Sequence, residues 1–176
     1  RDFCLSRGLG DVYKRQQGNI WVGTSEGVYL IDCDSKTIKA HYNLENNLAR
    51  CVLKDSEDQV WVGFFGGGLG LYDSQLQSIQ LFNVLAKFPS NTINALYEDS
   101  RKRLWVATGE GLVCFPSLTD RNYKVYQRES GLANTHIQAI GEDKAGNIWV
   151  STNKGISCLV DLSLIHISEP TRQAEI

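Results

Sequence analysis

Three observations predict an all-β fold, a β-propeller fragment of about three and a half four-stranded blades in an open arc. Four tryptophans stand at 21, 61, 105 and 149, at intervals of 40, 44 and 44 residues. Around them the text recurs as Asn19-Ile20-Trp21-Val22-Gly23-Thr24, Gln59-Val60-Trp61-Val62-Gly63, Arg103-Leu104-Trp105-Val106-Ala107-Thr108 and Asn147-Ile148-Trp149-Val150-Ser151-Thr152. The segment at each tryptophan is apolar at both parities, the pattern of a strand buried on both faces. Radially packed blades bury strands in this way, and a repeat of about 40–45 residues fits one blade. No 3.6-residue apolar period survives between the turns, which excludes a helical solenoid.

The units run 17–44 (partial), 47–83, 91–127 and 135–160 (partial). In the third, the pattern predicts strands at Ile93–Glu98, Leu104–Thr108, 112–115 and 123–127. An Asp falls six residues before each of the last three tryptophans (Asp55, Asp99, Asp143), where it accepts from backbone amides of a hairpin turn. A Gly falls six residues after each tryptophan (Gly27, Gly67, Gly111, Gly155) and serves a second turn. Segment 64–70, Phe-Phe-Gly-Gly-Gly-Leu-Gly, carries one extra residue and reads as a looser hairpin. A phosphate-cradling glycine loop would open a helix, and no helical period follows. Small residues at one first-strand position (Cys51, Ala95, Ala139) suit the crowded inner edge of a radial array. The tryptophans are read as core side chains, each covering ~150–250 Å².

The two ends read differently. Reverse-complementing 162–176 codon by codon regenerates 2–16: Leu162 as CTG gives Gln16, Ser163 as TCT gives Arg15, and the match continues to Ile176 and Asp2. Residues 1–16 and 162–176 are therefore expected to be adapter-derived and not native, resembling transposon-end sequence of sequencing libraries. Processing scars are set aside before fold reasoning, so Cys4, Lys14, His166 and Glu169 are expected to carry no function. What remains begins at a second strand and ends in a third, so both terminal blades are expected to be incomplete and the arc to leave apolar blade faces exposed.

Composition narrows the chemistry. Hydrophobic residues make up 42%, charged residues 22%, and the net charge is -2. No basic field draws the chain to nucleic acid or anionic membrane, and no apolar stretch is long enough to span a bilayer. The cysteines at 33, 51, 114 and 158 lack metal-type spacing, and Cys114 and Cys158, on adjacent blades, are read as buried thiols. His41 and His136 each stand alone. The pairs Glu98-Asp99 and Glu142-Asp143 recur from blade to blade, which marks them as turn structure, since an active site is built once. No catalytic, cofactor or metal residue is expected. Arg50, Asn94 and Gln138 share one repeat position on the first strand and are the candidate ligand-binding residues. Facing the central channel they would hydrogen-bond sugar hydroxyls; otherwise they hydrate or link neighbouring blades.

The pattern Ile-x-Ala-Ile-x-Glu-Asp-x-x-Gly-Asn-Ile-Trp-Val-x-Thr-x-x-Gly-Ile, at 137–156, resembles the two-component regulator propeller repeat. The lead-in Glu129-Ser130-Gly131-Leu132-Ala133-Asn134 also fits that repeat, with Ala133 in place of the usual Pro. The resemblance covers essentially all of 17–161. WD, kelch and sialidase Asp-box repeats fit less well. The resemblance implies a non-catalytic, periplasmic sensor region of a bacterial hybrid histidine kinase, notably of Bacteroidetes, sensing glycan. It further implies an oligosaccharide ligand, a homodimeric parent, and partners in adjoining blades and downstream domains. Alternatives are a scaffold or dimerisation propeller, the sensor of a diguanylate cyclase, or part of a glycan-active propeller enzyme.

Overall fold

The computed structural model describes residues 9–16, 18–43, 48–160 and 163–167, the first and last of these segments as backbone strands only. Among the described residues sixteen strands form four antiparallel sheets of four, each strand beside its sequence neighbour. Blade 1 comprises β1 (Leu9–Gln16), β2 (Asn19–Thr24), β3 (Gly27–Asp32) and β4 (Thr37–Tyr42). Blade 2 comprises β5 (Leu48–Lys54), β6 (Val60–Phe65), β7 (Leu69–Asp73) and β8 (Ser78–Phe82). Blade 3 comprises β9 (Ile93–Glu98), β10 (Leu104–Thr108), β11 (Gly111–Phe115) and β12 (Lys124–Tyr126). Blade 4 comprises β13 (Ile137–Glu142), β14 (Ile148–Thr152), β15 (Gly155–Val160) and β16 (Ser163–Ile167). First strands touch one another in sequence, β1 to β5 to β9 to β13, so they line the inner edge of an open arc.

The terminal blades draw their outermost strands from the two ends of the chain. Residues 9–16 and 163–167, set apart by the mirrored codons, supply β1 and β16, so both terminal sheets have four strands. The free edges of β2 and β15 offer rows of N–H and C=O groups, which any extended segment can satisfy. Their pairing is uneven: β15–β16 runs in continuous register, while β1–β2 slips at two places. Cys4 and Glu169, and the side chains of Lys14 and His166, lie outside the described residues.

The two-faced strands explain the core. On β10, Trp105 and Ala107 pack towards blade 4 with Ile137, Ile148 and Val150, while Leu104 and Val106 pack towards blade 2 with Trp61 and Leu69. Trp61 repeats the role of Trp105 one blade earlier, against Phe115 and Leu104 of blade 3. Both are fully buried, and Trp21 is nearly so. Trp149 has no blade beyond it among the described residues and is 36% exposed, beside Ile156 at 46%.

Each of the last three blades is closed by one carboxylate. Asp99 Oδ1 accepts the amides of Arg101 and Arg103, both at 2.9 Å, while Oδ2 accepts Arg103 Nε at 2.6 Å and the Trp105 indole at 2.7 Å. Asp55 receives Glu57, Gln59 and Trp61 in the same pattern, with the indole at 2.8 Å. Asp143 receives Ala145, Asn147 and Trp149, with the indole at 2.9 Å. The residue two before each tryptophan varies as Gln59, Arg103 and Asn147, yet each brings a side-chain N–H donor. At the turn apex Asp58, Lys102 and Gly146 all adopt left-handed φ of 64°, 59° and 82°. The neighbouring glutamate links blades: Glu98 Oε2 accepts the Ser56 amide of blade 2 at 2.8 Å, and Glu142 accepts the amide and hydroxyl of Ser100 at 2.9 and 2.6 Å. Blade 2 has Lys54 at this position, ion-paired with its own Asp58. The joint to blade 1 rests instead on aromatic contact, Trp21 to Tyr72 at 4.7 Å and the Tyr42 hydroxyl to that of Tyr72 at 3.3 Å.

The second turn uses a threonine. Thr108 Oγ1 donates to the Gly111 carbonyl at 2.7 Å and accepts the Glu110 amide at 3.1 Å, and Thr24 and Thr152 do the same. In blade 2 the extra residue shifts the glycine that matters from Gly67 to Gly68: φ is +87°, and a Cβ there would strike the Phe82 carbonyl, as at Gly27 against Tyr42 and Gly111 against Tyr126. The segment is a hairpin, as read, with Phe64 N donating to Gly68 O at 2.9 Å. Cys114 and Cys158 are buried thiols outside any disulfide, and burial pushes Cys114 up to about 12.

Three outcomes follow from these contacts. Asp99→Ala strands a buried indole N–H and a half-buried guanidinium, so it should cost about 3 kcal/mol in denaturant unfolding; a loss under about 1 kcal/mol would remove the pin as a structural determinant. Asp143 is held at about 2 against an ordinary 3.8, chiefly by the Trp149 indole and then Asn147. Asp99 is also lowered: burial opposes this, but the Trp105 indole and Arg103 outweigh it. Depressed carboxylates contribute stability above pH 3.8 that is lost as pH falls through about 2, so tryptophan-detected stability should drop in that window. At the third site, a Cβ on Gly63 would meet Cys51 Sγ and stand 2.6 Å from Ile93 Cγ2. Gly63→Ala should therefore cost about 1–3 kcal/mol by overpacking, and adding Cys51→Ala should recover only part of it, since it gives a cross-strand pair like Ala95–Ala107 but leaves Ile93 against the new methyl.

Candidate functional site

The inner strands of blades 2, 3 and 4 carry one irregularity apiece, at the same repeat position. On β5 the ladder steps from Ala49 to Cys51, on β9 from Ile93 to Ala95, and on β13 from Ile137 to Ala139. The skipped residues are Arg50, Asn94 and Gln138. Each is the extra residue of a β-bulge, which interrupts the ladder, bends the strand and re-aims a side chain. The repeat position that the sequence singled out is thus a column of bulges near the start of β5, β9 and β13, on the side of the second hairpin of each blade.

The three residues are not equivalent in their contacts. Arg50 Nη1 donates to Asn94 Oδ1, and Asn94 Nδ2 donates to the Ile137 carbonyl at 2.6 Å. This chain of bonds crosses from blade 2 through blade 3 to blade 4. Gln138 stands outside it, donating from Nε2 to Asn153 Oδ1 at 2.7 Å on the β14–β15 turn. Arg50 and Gln138 are exposed and Asn94 is half-buried. The linking role anticipated for this column is present at two of its three positions. Arg50 keeps further N–H donors beyond the one engaged with Asn94, and its guanidinium lies 5.6 Å above the ring of Phe65, itself 51% exposed. An exposed aromatic beside a cation and amides is a surface that can stack an apolar ring face and hydrogen-bond its polar substituents.

Sequence reading missed Phe65, because it belongs to the one hairpin whose length breaks the repeat. It also missed Asn91, whose carbonyl accepts the amides of Gly66 and Gly68 at 2.9 and 2.8 Å, while its side chain accepts Val84 N at 2.9 Å. Asn91 thereby holds the glycine turn against the connection between blades 2 and 3. The isolated histidines have local roles. His41 stacks on Tyr29 at 4.0 Å, and the amide of His136 donates to Asn134 Oδ1 at 2.8 Å. The repeated Glu-Asp pairs are engaged in turn closure and blade linkage, as described above.

Comparison with known proteins follows this geometry. Residues 87–110 and 131–154, in blades 3 and 4, match the family model for the two component regulator propeller. The solved extracellular domain of a protein described as a hybrid two component system of B. thetaiotaomicron is 47% identical, with a TM-score of 0.78, over 87% of this chain and 22% of that one. A histidine kinase of Formosa agariphila is 29% identical over 106 residues, 53% of this chain and 8% of that protein. Virginiamycin B lyase of Staphylococcus aureus shares the fold at 15% identity, with a TM-score of 0.72 over 94% of this chain and 57% of the lyase. The chain thus spans about a fifth of the solved two-component relative and less of the curated kinase. On these grounds the chain is a β-propeller, and its residues 87–110 and 131–154 are similar to the two component regulator propeller repeat.

Proposed function

We propose that this chain is a non-catalytic part of the periplasmic sensing region of a two-component signalling protein, and that its ligand is an oligosaccharide. The observation that carries this reading is the 47% identity, over 87% of the chain, to the extracellular domain of a hybrid two component system. Arg50, Asn94 and Gln138, with Phe65 beside them, are the residues we assign to the ligand. Their chemistry supports it: a guanidinium and a side-chain amide for hydroxyls, and an exposed ring for the apolar face of a sugar. In this role the chain contributes recognition, and phosphotransfer belongs to other domains of the parent protein, which we expect to act as a homodimer. A second reading, a scaffold propeller, is favoured by the bond chain from Arg50 through Asn94 to Ile137, which ties three blades together.

Calorimetric titration of oligosaccharides into the whole sensor region separates the two. Arg50→Ala and Gln138→Ala, both at exposed positions, should weaken binding about tenfold and leave the unfolding temperature nearly unchanged. Unchanged affinity with a lowered unfolding temperature would assign the column to scaffolding.

A further inference from the structure

At the other end of the strands, blade 3 departs from the repeat. The outer hairpins of blades 1 and 2 are four-residue turns, 33–36 and 74–77, in which Asp32 or Asp73 accepts two amides through Oδ1. The corresponding connection of blade 3 runs through eight residues, 116–123. This loop leans across onto blade 2. Leu118 is buried in the core between the two blades. Its carbonyl accepts Gln59 Nε2 at 2.9 Å and Arg121 Nη1 at 2.7 Å. Arg121 Nη2 donates to Gln59 Oε1 at 2.9 Å, and the guanidinium covers the Trp61 ring at 5.3 Å. The loop is therefore held in place without any ligand.

Between this loop and the closing turns of blades 2 and 3 lies a cavity of about 250 Å³, lined by Glu57, Arg101, Lys102, Ser117, Leu118 and Thr119 among others. Its pair of cations occurs, among the closing turns of blades 2 to 4, in blade 3 alone. The turn positions that hold Arg101 and Lys102 are Glu57 and Asp58 in blade 2, and Ala145 and Gly146 in blade 4. Lys102 reaches Glu57 at 3.3 Å, an exposed pair that solvent screens. Arg101 is exposed, and its guanidinium makes no hydrogen bond or ion pair among the described residues; only its backbone amide is engaged, by Asp99. The hydroxyls of Ser117 and Thr119 stand 3.0 Å apart, so one proton between them serves that contact and the other remains to be donated.

We propose that this cavity is a binding site for an oxyanion group, carboxylate or sulfate, held by Arg101 and Lys102 and hydrogen-bonded by the Ser117–Thr119 hydroxyl pair. Arg101 supplies the uncommitted fork of donors that planar oxyanions prefer. Lys102 exchanges its exposed contact with Glu57 for the ligand. The site is independent of the bulge column and of the function assigned to it.

The test is an NMR titration of the intact chain with sodium sulfate, sodium glucuronate and neutral glucose, each to about 10 mM. Sulfate, glucuronate or both should shift the amides of residues 117–119, the more effective probe identifying the group, and glucose should not. Arg101→Ala should weaken binding about tenfold, the size of one charge-assisted hydrogen bond. Glu57→Gln should tighten it by freeing Lys102, while Lys144→Ala, on the equivalent turn of blade 4, should leave it unchanged. No shift with either anion, equal shifts with glucose, or insensitivity to Arg101→Ala would overturn the proposal. So would an equal loss in Lys144→Ala, which would mark a general charge effect.

Discussion

The hydrogen bond from a tryptophan indole to the aspartate six residues earlier is the interaction on which blades 2, 3 and 4 depend. Burying Trp61 or Trp105 removes a large apolar surface from water but leaves one N–H to satisfy. The aspartate satisfies it while its other oxygen accepts two amides of the turn between the first two strands. A single carboxylate therefore closes the hairpin and orients the largest core side chain. Because its acceptor sites are filled by N–H donors, the charge is well compensated where it is buried at Asp55 and Asp99. The adjoining glutamate is left to point at the turn of the preceding blade, so local turn closure also sets the next level of assembly.

Between blades, packing works by parity and by volume. Alternate residues of each second strand face opposite neighbours, so one short segment serves two cores. Cross-strand pairs at the inner edge trade volume: Cys51 stands opposite Gly63, and Ala95 opposite Ala107. Where a neighbour is lacking among the described residues, the same segment exposes Trp149 and Ile156. The junction of blades 1 and 2 shows that the linking chemistry can change, since Lys54 takes the place of the glutamate and tyrosines carry the contact.

Repeated and unrepeated features divide the molecule's polar groups into two kinds. Asp-turns and inner-strand bulges recur in blades 2 to 4 and Thr-turns in blades 1, 3 and 4, as elements of hairpin and sheet construction. The bulge column is notable in serving both architecture, through Asn94, and an exposed surface, through Arg50 and Phe65. The eight-residue loop of blade 3 occurs once among the described outer hairpins, and it is there that cations and hydroxyls converge on a cavity.

The spacing of tryptophans, aspartates and glycines determined the strand order, the hairpin positions and the propeller architecture, because each of these is governed by local periodicity and turn chemistry. The strands of blade 3 fall within a residue or two of the positions that pattern assigned. Sequence also placed Arg50, Asn94 and Gln138 at one repeat position. It did not reveal that they are bulges, since a bulge is a relation between two strands and leaves no mark on one. Nor did it separate Gly67 from Gly68, because only the cross-strand register shows which glycine approaches the Phe82 carbonyl. The glutamate links, the seat of Arg121 on Trp61 and the joining of 9–16 and 163–167 to the terminal sheets were decided by tertiary structure. Each joins groups far apart in the chain or pairs backbone edges with little regard to side chains, so local pattern carries no record of them.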